Sequence, residues 1–469
     1  MKELYSRYSY NAPLLSMGRL FIAGILLSDL IFRFQYLEAH YSNEGVLPTP
    51  VIKTYYPFYQ YYLSLHNIFD SLYSIKFLFI IHIMASLSLF IGYYTRFFTL
   101  LNFVLLLSLH RRNPVILQGG DDLLRITLFY MIFLPWGKFY SVDSWLEKKN
   151  KSPSPTNITR FSWFYLVFLF NIAFVYFFSA LLKTSDEWRL TGDALYYALS
   201  LETLRTEAGN WIYPYYGLLK VGTFFVYYIQ EILAPILLVL PFPKWRNLAL
   251  LLIILFHSLN LIFLKVGLFP FVGMSTAVML FHRSPAHGAL SFSVSFSKKE
   301  FFAALLIFFL ILRYHLATLN TPFFSITRME DRLLNIAGLA QRWNMFSPGV
   351  KRYEGWLILR GIRKDHTEWD LIFNTPTIHY EKADKNMFYL RGDRWRKFLE
   401  NYEQTTYNFI KPYFCYYLIK NWNIHHPHHP IEALNILYMK KETLSNYQFK
   451  TELENLCLCN PQVDKKVYP

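Results

Sequence analysis

Residues 160–183 read RFSWFYLVFLFNIAFVYFFSALLK, an apolar run that ends on a lysine and is followed at once by TSDEWRLTG at 184–192. A run of this length can cross the hydrocarbon core of a bilayer, which needs about 20 apolar residues. The run therefore predicts a membrane helix with Lys183 at its exit. Partial desolvation at that position favours the neutral amine, which makes Lys183 a candidate base. The alternative is a lysine that simply extends its ammonium to the lipid headgroups.

The whole chain is too apolar for an ordinary soluble protein. Of its 469 residues, 54% are hydrophobic, 19% are aromatic and only 17% are charged, which is typical of a membrane protein. We predict nine membrane helices, at 14–36, 76–94, 97–110, 122–136, 160–183, 218–241, 247–264, 267–282 and 300–318. The third and fourth segments are short for a crossing, so a count of eight spans stays open.

The lysines and arginines are distributed unequally between the predicted loops. With nine spans and the N-terminus inside, the inner loops carry more of them than the outer loops. The positive-inside rule therefore predicts a protein of the cell (inner) membrane with a cytoplasmic N-terminus and an extracytoplasmic C-terminal domain. The net charge of +15 is spread along the chain rather than gathered in one stripe, so the lipid bilayer and not nucleic acid is the expected partner.

Several polar side chains fall inside the predicted membrane helices, where facing lipid would cost each charge about 2.5–3.5 kcal/mol on insertion scales. Asp29 and Arg33 are four residues apart, which is the spacing of an ion pair on one helical face. The others that we expect to face the bundle interior are Arg19, Asp121, Asp122, Arg125, Glu231, His257 and Asn260. These residues either satisfy one another structurally or form the wall of a polar cavity that holds a ligand.

Four stretches of the membrane part carry a resemblance to a known family. They are GRLFIAGILLSDLIFRFQYLEAHYSNEGVLP at 18–48, SLHRRNPVILQGGDDLLRITLFYMIFLP at 108–135, KTSDEWRLTG at 183–192 and HSLNLIFLKVGLFPFV at 257–272. Together they resemble the membrane domain shared by vitamin K-dependent gamma-glutamyl carboxylase and its bacterial relatives, the horizontally transferred transmembrane (HTTM) domain. The similarity covers about residues 10–318 and continues weakly through QRWNMFSP at 341–348 and RGDRWRKFLENY at 391–402.

The resemblance implies a function for Lys183, which has Trp188 and Gly192 behind it. In the carboxylase, a lysine in this setting deprotonates vitamin K hydroquinone, and oxygen and carbon dioxide then take part in the carboxylation of a glutamate side chain. The resemblance therefore implies a reduced quinone as cofactor and a peptide or secreted protein as substrate. One departure is at Lys138 in KFYSVD, where the carboxylase has a supporting histidine. Lys138 is either a second catalytic residue or an inner-loop charge that fixes topology.

The chain beyond the membrane part, residues 319–469, predicts a smaller α+β module. The stretch at 355–373, GWLILRGIRKDHTEWDLIF, alternates like a hairpin with its turn near Lys364 to His366, and aromatic residues at 394–422 follow a helical period interrupted by Pro412. Outside the cytoplasm, a disulfide between Cys415 and either Cys457 or Cys459 is allowed. We expect no metal site, because HHPHH at 425–429 lacks spaced partner ligands.

These observations predict an all-α polytopic membrane bundle, residues 1–318, followed by the α+β module. The leading functional hypothesis is a membrane enzyme that uses a lipid-soluble quinol to modify a peptide or protein side chain, with Lys183 as the base. The competing hypothesis is a non-catalytic membrane partner in the maturation or export of a secreted peptide. A transporter is disfavoured, because the two halves of the bundle show no inverted repeat of broken helices.

Overall fold

The computed structural model describes residues 2–56, 64–150, 159–282, 297–321, 323–383 and 392–461. A helical bundle comes first along the chain, with a two-residue pairing of β1 (Tyr10–Asn11) and β2 (Thr159–Arg160) near its beginning. Its helices are α1 Lys2–Arg7, α2 Ala12–Gln35, α3 Leu37–Tyr41, α4 Thr49–Tyr55, α5 Leu65–Ile68, α6 Leu72–Ile91, α7 Thr95–Arg112, α8 Gly119–Met131, α9 Val142–Asn150, α10 Trp163–Leu182, α11 Asp186–Arg189, α12 Ala194–Ser200, α13 Glu207–Ile212, α14 Tyr216–Phe224, α15 Ala234–Val239, α16 Pro243–Phe263, α17 Phe269–Leu280 and α18 Lys298–Thr318.

Six stretches of helix in the described residues are long and apolar enough to cross a membrane. They are α2, α6, α10, the continuous helix Tyr216–Val239 that includes α14 and α15, α16 and α18. The predicted count of eight or nine spans is therefore not confirmed. Helices do form at the other three predicted segments, but α7 carries four basic residues and α8 and α17 have only 13 and 12 residues.

Local sequence explains where the membrane helices begin and end. The side chain of Asn11 caps α2 by accepting from the backbone N–H of Leu14 at 3.1 Å. Gly92 ends α6 in the left-handed conformation, φ 72°.

Arg19, fully buried in α2, donates to the carbonyls of Leu89 and Phe90 at 2.7 and 2.5 Å. Carbonyls at the end of α6 thus satisfy a guanidinium that lipid could not.

The C-terminal module is built on one antiparallel sheet of four strands in the order β4-β3-β5-β6. The strands are β3 Tyr353–Ile362, β4 Glu368–Asp370, β5 Ala433–Thr443 and β6 Phe449–Cys459, and the helices are α19 Arg328–Ile336, α20 Asp393–Tyr402 and α21 Lys411–His425. The predicted hairpin is confirmed, because β3 and β4 pair antiparallel through a turn at which His366 has φ 64°. Pro412 lies in the first turn of α21, where its missing N–H costs no helical hydrogen bond.

The bundle and the module share one continuous core. Buried apolar side chains of the bundle belong to the same packed cluster as Trp343, Trp395 and Phe414 of the module. Cys415 on α21 forms a disulfide with Cys459 on β6, which is one of the two predicted pairings. The disulfide lies within the module, and the shared core is what fixes the module against the bundle. The boundary between the two at residue 318 remains a prediction.

Candidate functional site

A cavity of about 680 Å³ lies between the bundle and the C-terminal module. Its bundle side is largely apolar and aromatic, and the ionisable side chains of Lys183 and Glu231 lie in this wall. Its module side carries charged groups, among them Lys351, Glu354 and Arg396. Small-molecule sites in proteins typically have volumes of about 300–1,000 Å³ and this mixture of apolar surface with a few polar groups. The cavity is therefore the candidate functional site.

Lys183 caps the C-terminus of α10 and turns its side chain into the protein. It is only 1% exposed, so it does not extend to the headgroups as the alternative interpretation supposed. Its Nζ donates to Ser179 Oγ at 2.6 Å and lies 2.8 Å from both carboxylate oxygens of Glu231. The Trp188 ring lies under it, with its centroid 5.0 Å from Nζ. Lys183 and Glu231 thus form a buried ion pair beside the cavity.

The position of Glu231 follows from a local widening of its helix. Residues Phe225–Leu233 form a π-helix, in which the N–H of Ala234 bonds to the carbonyl of Ile229. Pro235 follows, and the ring of a proline clashes with the carbonyl four residues earlier, which here is that of Glu231. A wider turn relieves this clash, and such π segments often occur at functional sites. The widened helix presents the carboxylate of Glu231 to α10.

Trp188 is held in place by the start of the C-terminal module. Its indole Nε1 donates to the carbonyl of Phe346 at 2.9 Å. The neighbouring Glu187 accepts hydrogen bonds from the backbone N–H of Val350 and from Arg352, the latter at 2.7 Å. The module therefore fixes the orientation of the aromatic ring against which the Lys183 ammonium packs.

His257 and Asn260, both on α16, have different surroundings. His257 is fully buried and its Nε2 lies 2.7 Å from the hydroxyl of Tyr176, so it is an interior histidine and does not line the cavity. Its ring packs against Gly273 so closely that the Cβ of any other residue at that position would lie 2.0 Å from Nε2. Asn260 does line the cavity. Tyr176 lies seven residues before Lys183 and therefore on the same face of α10.

Asp29, Arg33 and Asp121 meet in a second buried cluster, which the sequence predicted in part. Arg33 Nε binds Asp29 at 2.7 Å, as the four-residue spacing predicted, and Arg33 also binds Asp121 at 2.6 Å. The fourth member is Arg394 from α20, which contacts Asp29 at 2.8 Å and Asp121 at 2.5 Å. Burial lowers the pKa of Arg394, but Asp121 and Asp29 outweigh it and raise this pKa well above its ordinary value.

Sequence reasoning missed Arg394, because the need for it becomes visible only when the buried pairs are known. Asp29 and Asp121 are two buried carboxylates, and Arg33 alone leaves one negative charge uncompensated. Arg125, the other predicted arginine, pairs instead with Asp122 at 2.7 Å and donates to the carbonyl of Gly338 at 2.8 Å. The remaining carboxylate is compensated by Arg394 from the C-terminal module.

A second feature that the sequence did not reveal is how deeply the segment at 339–350 enters the bundle. Gln341 and Trp343 are each 1% exposed. Gln341 exchanges amide hydrogen bonds of 2.9 and 3.4 Å with Asn171 in the middle of α10, and it accepts from Trp343 Nε1 at 2.9 Å. This segment closes the cavity from the module side, where Met345 and Phe346 belong to the lining.

Lys138 is not brought to the cavity. Its side chain is 53% exposed and its Nζ lies 3.6 Å from Glu147, itself 51% exposed. It is absent from the residues that line the cavity around Lys183. The geometry thus fits the interpretation of Lys138 as a loop charge better than that of a partner of Lys183.

Two of the four histidines near the end of α21 stack on tryptophans. The His426 ring lies 3.7 Å from that of Trp422, and the His429 ring lies 5.0 Å from that of Trp369. Among the residues that the structure describes, no group of three or more histidine, cysteine or acidic side chains could hold a metal ion.

The membrane-spanning helices, the cavity and its buried lysine define a multi-pass membrane protein with an internal polar site. A family model described as the HTTM domain matches residues 53–284. The chain is therefore a multi-pass membrane protein that carries an HTTM domain, as its motifs predicted, and the relation to the gamma-carboxylase is consistent with that domain. The matched residues include Lys183, Trp188 and Glu231. No curated protein and no solved structure matches the chain.

Proposed function

We propose that the protein is a membrane enzyme that uses a reduced, lipid-soluble quinone to modify a side chain of a peptide or secreted protein. The observation that carries this proposal is the Lys183–Glu231 pair, which is buried in an apolar wall and yet faces a cavity. Ionisable groups in such a wall are costly to bury even as a pair, and they commonly mark a functional site. Lys183 is the residue on which deprotonation of a ligand hydroxyl depends in this proposal.

The residues around Lys183 fit the ring of a quinol. Trp188, Leu195, Val226 and Phe269 line the same cavity with apolar surface, two of them with aromatic rings. The volume of about 680 Å³ leaves room for a second substrate. When bound, a reduced quinone would supply the reducing equivalents with which oxygen is activated, and carbon dioxide would supply the added group. The protein would contribute orientation of the ring, exclusion of water and the acid–base pair.

The C-terminal module supports a polar second substrate. Its side of the cavity carries Lys351, Glu354, Arg396, Lys397, Glu400 and Glu403, whereas the bundle side is mainly apolar. A peptide side chain that enters between the two would meet polar groups while its reacting end approaches the apolar wall. This arrangement agrees with a quinol held in the bundle and a peptide held by the module.

We also propose that the N-terminus faces the cytoplasm and that the module lies outside it. The distribution of lysine and arginine along the chain supports this orientation. The Cys415–Cys459 disulfide supports it independently, because such bonds persist mainly in oxidising compartments. Labelling of a cysteine introduced into the exposed turn near His366 in intact cells tests the orientation.

The test of the proposed activity is oxidation of a reduced quinone by the purified protein in detergent, with labelled bicarbonate added in parallel. We expect Lys183→Ala to abolish quinol oxidation while the protein still inserts and elutes as a single folded species. Lys244→Ala, which removes an exposed lysine at the start of α16, should leave the rate unchanged. Oxidation with incorporation of label would establish a carboxylase, and oxidation without it would indicate a different modification.

A second function, that of a membrane partner in the maturation or export of a secreted peptide, is favoured by one observation. Strand β6 is an 11-residue edge strand, and most of its residues are exposed. Such an edge can accept an extended peptide as an added strand. If no quinol is oxidised by folded protein and a co-purifying peptide remains bound in Lys183→Ala, this second function replaces the first.

A further inference from the structure

The surroundings of Lys183 indicate which form of the amine the structure holds. Its Nζ donates hydrogen bonds to Ser179 Oγ at 2.6 Å and to Glu231 Oε1 at 2.8 Å, and Glu231 Oε2 lies 2.8 Å from Nζ within the ion pair but accepts no hydrogen bond. An ammonium has three N–H donors and no lone pair, whereas a neutral amine has only two donors and needs one donor in return. Nζ is thus a donor in both of its hydrogen bonds and has a second carboxylate oxygen beside it, which matches the ammonium, and an ammonium has no lone pair with which to take up another proton.

The charges of the pair agree with this assignment. Lys183 and Glu231 are 1% and 5% exposed, and a single charge at such a position is far more costly than a close pair of opposite charges. A neutral Lys183 would therefore require a protonated Glu231, since otherwise the carboxylate would be left alone in the apolar wall. With Lys183 as the ammonium, Glu231 is the carboxylate, and it is the group of the pair that can accept a proton.

We propose that Glu231 is the proton acceptor of this site and that Lys183 is the cation that holds the oxygen left behind. This inference rests on the proposed quinol-dependent function and divides its acid–base step between two residues. The O–H bond of the ligand breaks, its electron pair stays on the ligand oxygen, and the proton forms an O–H bond with the carboxylate of Glu231. Negative charge moves from Glu231 to the ligand oxygen, and the Lys183 ammonium stays paired throughout.

With Glu231 as the proton acceptor and Lys183 as a permanent cation, the net charge inside the apolar wall does not change during the proton transfer. Before the transfer the ammonium faces the carboxylate of Glu231, and after it the ammonium faces the ligand oxygen beside a neutral carboxyl group. The Trp188 ring, whose centroid is 5.0 Å from Nζ, favours the cation in both states. The same lysine would be essential in either assignment, so loss of activity in Lys183→Ala does not distinguish the two.

The experiment that distinguishes them follows the carboxyl group directly. The probe is 4-methoxy-1-naphthol, which carries one ionisable hydroxyl. It is added to the purified full-length protein, and two quantities are measured. The absorption of the naphtholate reports ionisation of the probe, and the infrared difference spectrum of bound minus free protein reports protonation of carboxyl groups. We expect the wild type to ionise the probe and to gain the C=O stretch of a protonated carboxyl group. Incorporation of glutamate with a ¹³C-labelled carboxyl group should shift that band, which tests the wild-type protein without any variant.

Variants show whether the new carboxyl C=O band belongs to Glu231. Glu231→Gln should lose it and release a proton to the solvent for each naphtholate bound, whereas the exposed control Glu207→Gln should behave as the wild type. Lys183→Met should leave the probe un-ionised. Naphtholate formation in the wild type without a new carboxyl band would overturn the assignment of Glu231 alone. Failure of the probe to bind the folded wild type would refute the proposed quinol site, and this inference with it.

Discussion

The docking of the C-terminal module through Arg394 gives the sharpest test of the structure. Arg394 is 11% exposed at its side chain and contacts Asp29 and Asp121, which are 5% and 1% exposed. The variant Arg394→Met keeps an unbranched apolar stem and removes the guanidinium. It leaves two buried carboxylates with Arg33 as their remaining close cation in the cluster. One negative charge in the interface then has no compensation.

The expected loss of folding stability follows from this count of charges. Removal of one partner from a buried ion pair typically destabilises a protein by about 3–5 kcal/mol, because the other charge is left uncompensated. The variant also loses the 3.1 Å hydrogen bond from Arg394 to the carbonyl of Ile116. We therefore expect Arg394→Met to lower the free energy of unfolding, or of release of the module, by about 3–5 kcal/mol. The double variant Arg394→Met/Asp121→Asn restores electrical neutrality and should recover much of this loss.

The assay combines thermal unfolding in detergent with limited proteolysis of the module. Arg394→Met should melt at a lower temperature and release a module fragment at lower protease concentration than the wild type. Arg328→Met, which removes an exposed arginine of α19, is the matched control and should change stability by no more than about 0.5 kcal/mol. The reasoning is refuted if Arg394→Met behaves like this control, or if the double variant is less stable than the single one.

Three further predictions concern buried groups. Burial lowers the pKa of His40 to about 3, and Arg33 and Arg394 add to the effect. Because only the unfolded chain binds this proton between about pH 6.5 and pH 3, the free energy of unfolding should fall by about 1.4 kcal/mol per pH unit over that range. His40→Phe should make this fall smaller in thermal melts recorded at acid pH. Gly273→Ala should displace the ring it contacts and cost about 1–3 kcal/mol in thermal unfolding, unlike Gly217→Ala, which meets nothing within 4 Å. Cys415→Ser removes a disulfide between residues 44 positions apart and should cost up to about 4 kcal/mol in denaturant titrations, equal in size to the effect of reductant on the wild type.

Local patterns in the sequence were enough to predict most elements of the fold. The apolar run at 160–183 predicted α10 and the position of Lys183 at its end, and the alternation at 355–373 predicted the hairpin of β3 and β4. The Asp29–Arg33 pair also followed from spacing alone, because residues four apart on one helix are neighbours whatever the helix packs against. The number of spans did not follow, because apolar composition does not distinguish a helix that meets lipid from one, like α8, that is mostly buried in protein.

The pairings between distant parts of the chain were decided by the tertiary structure. Glu231 lies 48 residues from Lys183 and Arg394 lies 365 residues from Asp29, and the sequence offers 47 lysines and arginines as partners for its carboxylates. Which of them meet depends on the packing of helices and on the docking of the module. The sequence by itself therefore determined a membrane bundle with a lysine at a helix exit and the HTTM motifs. Only the tertiary structure turned that lysine inward onto Glu231, because burial in the apolar wall makes each charge require the other.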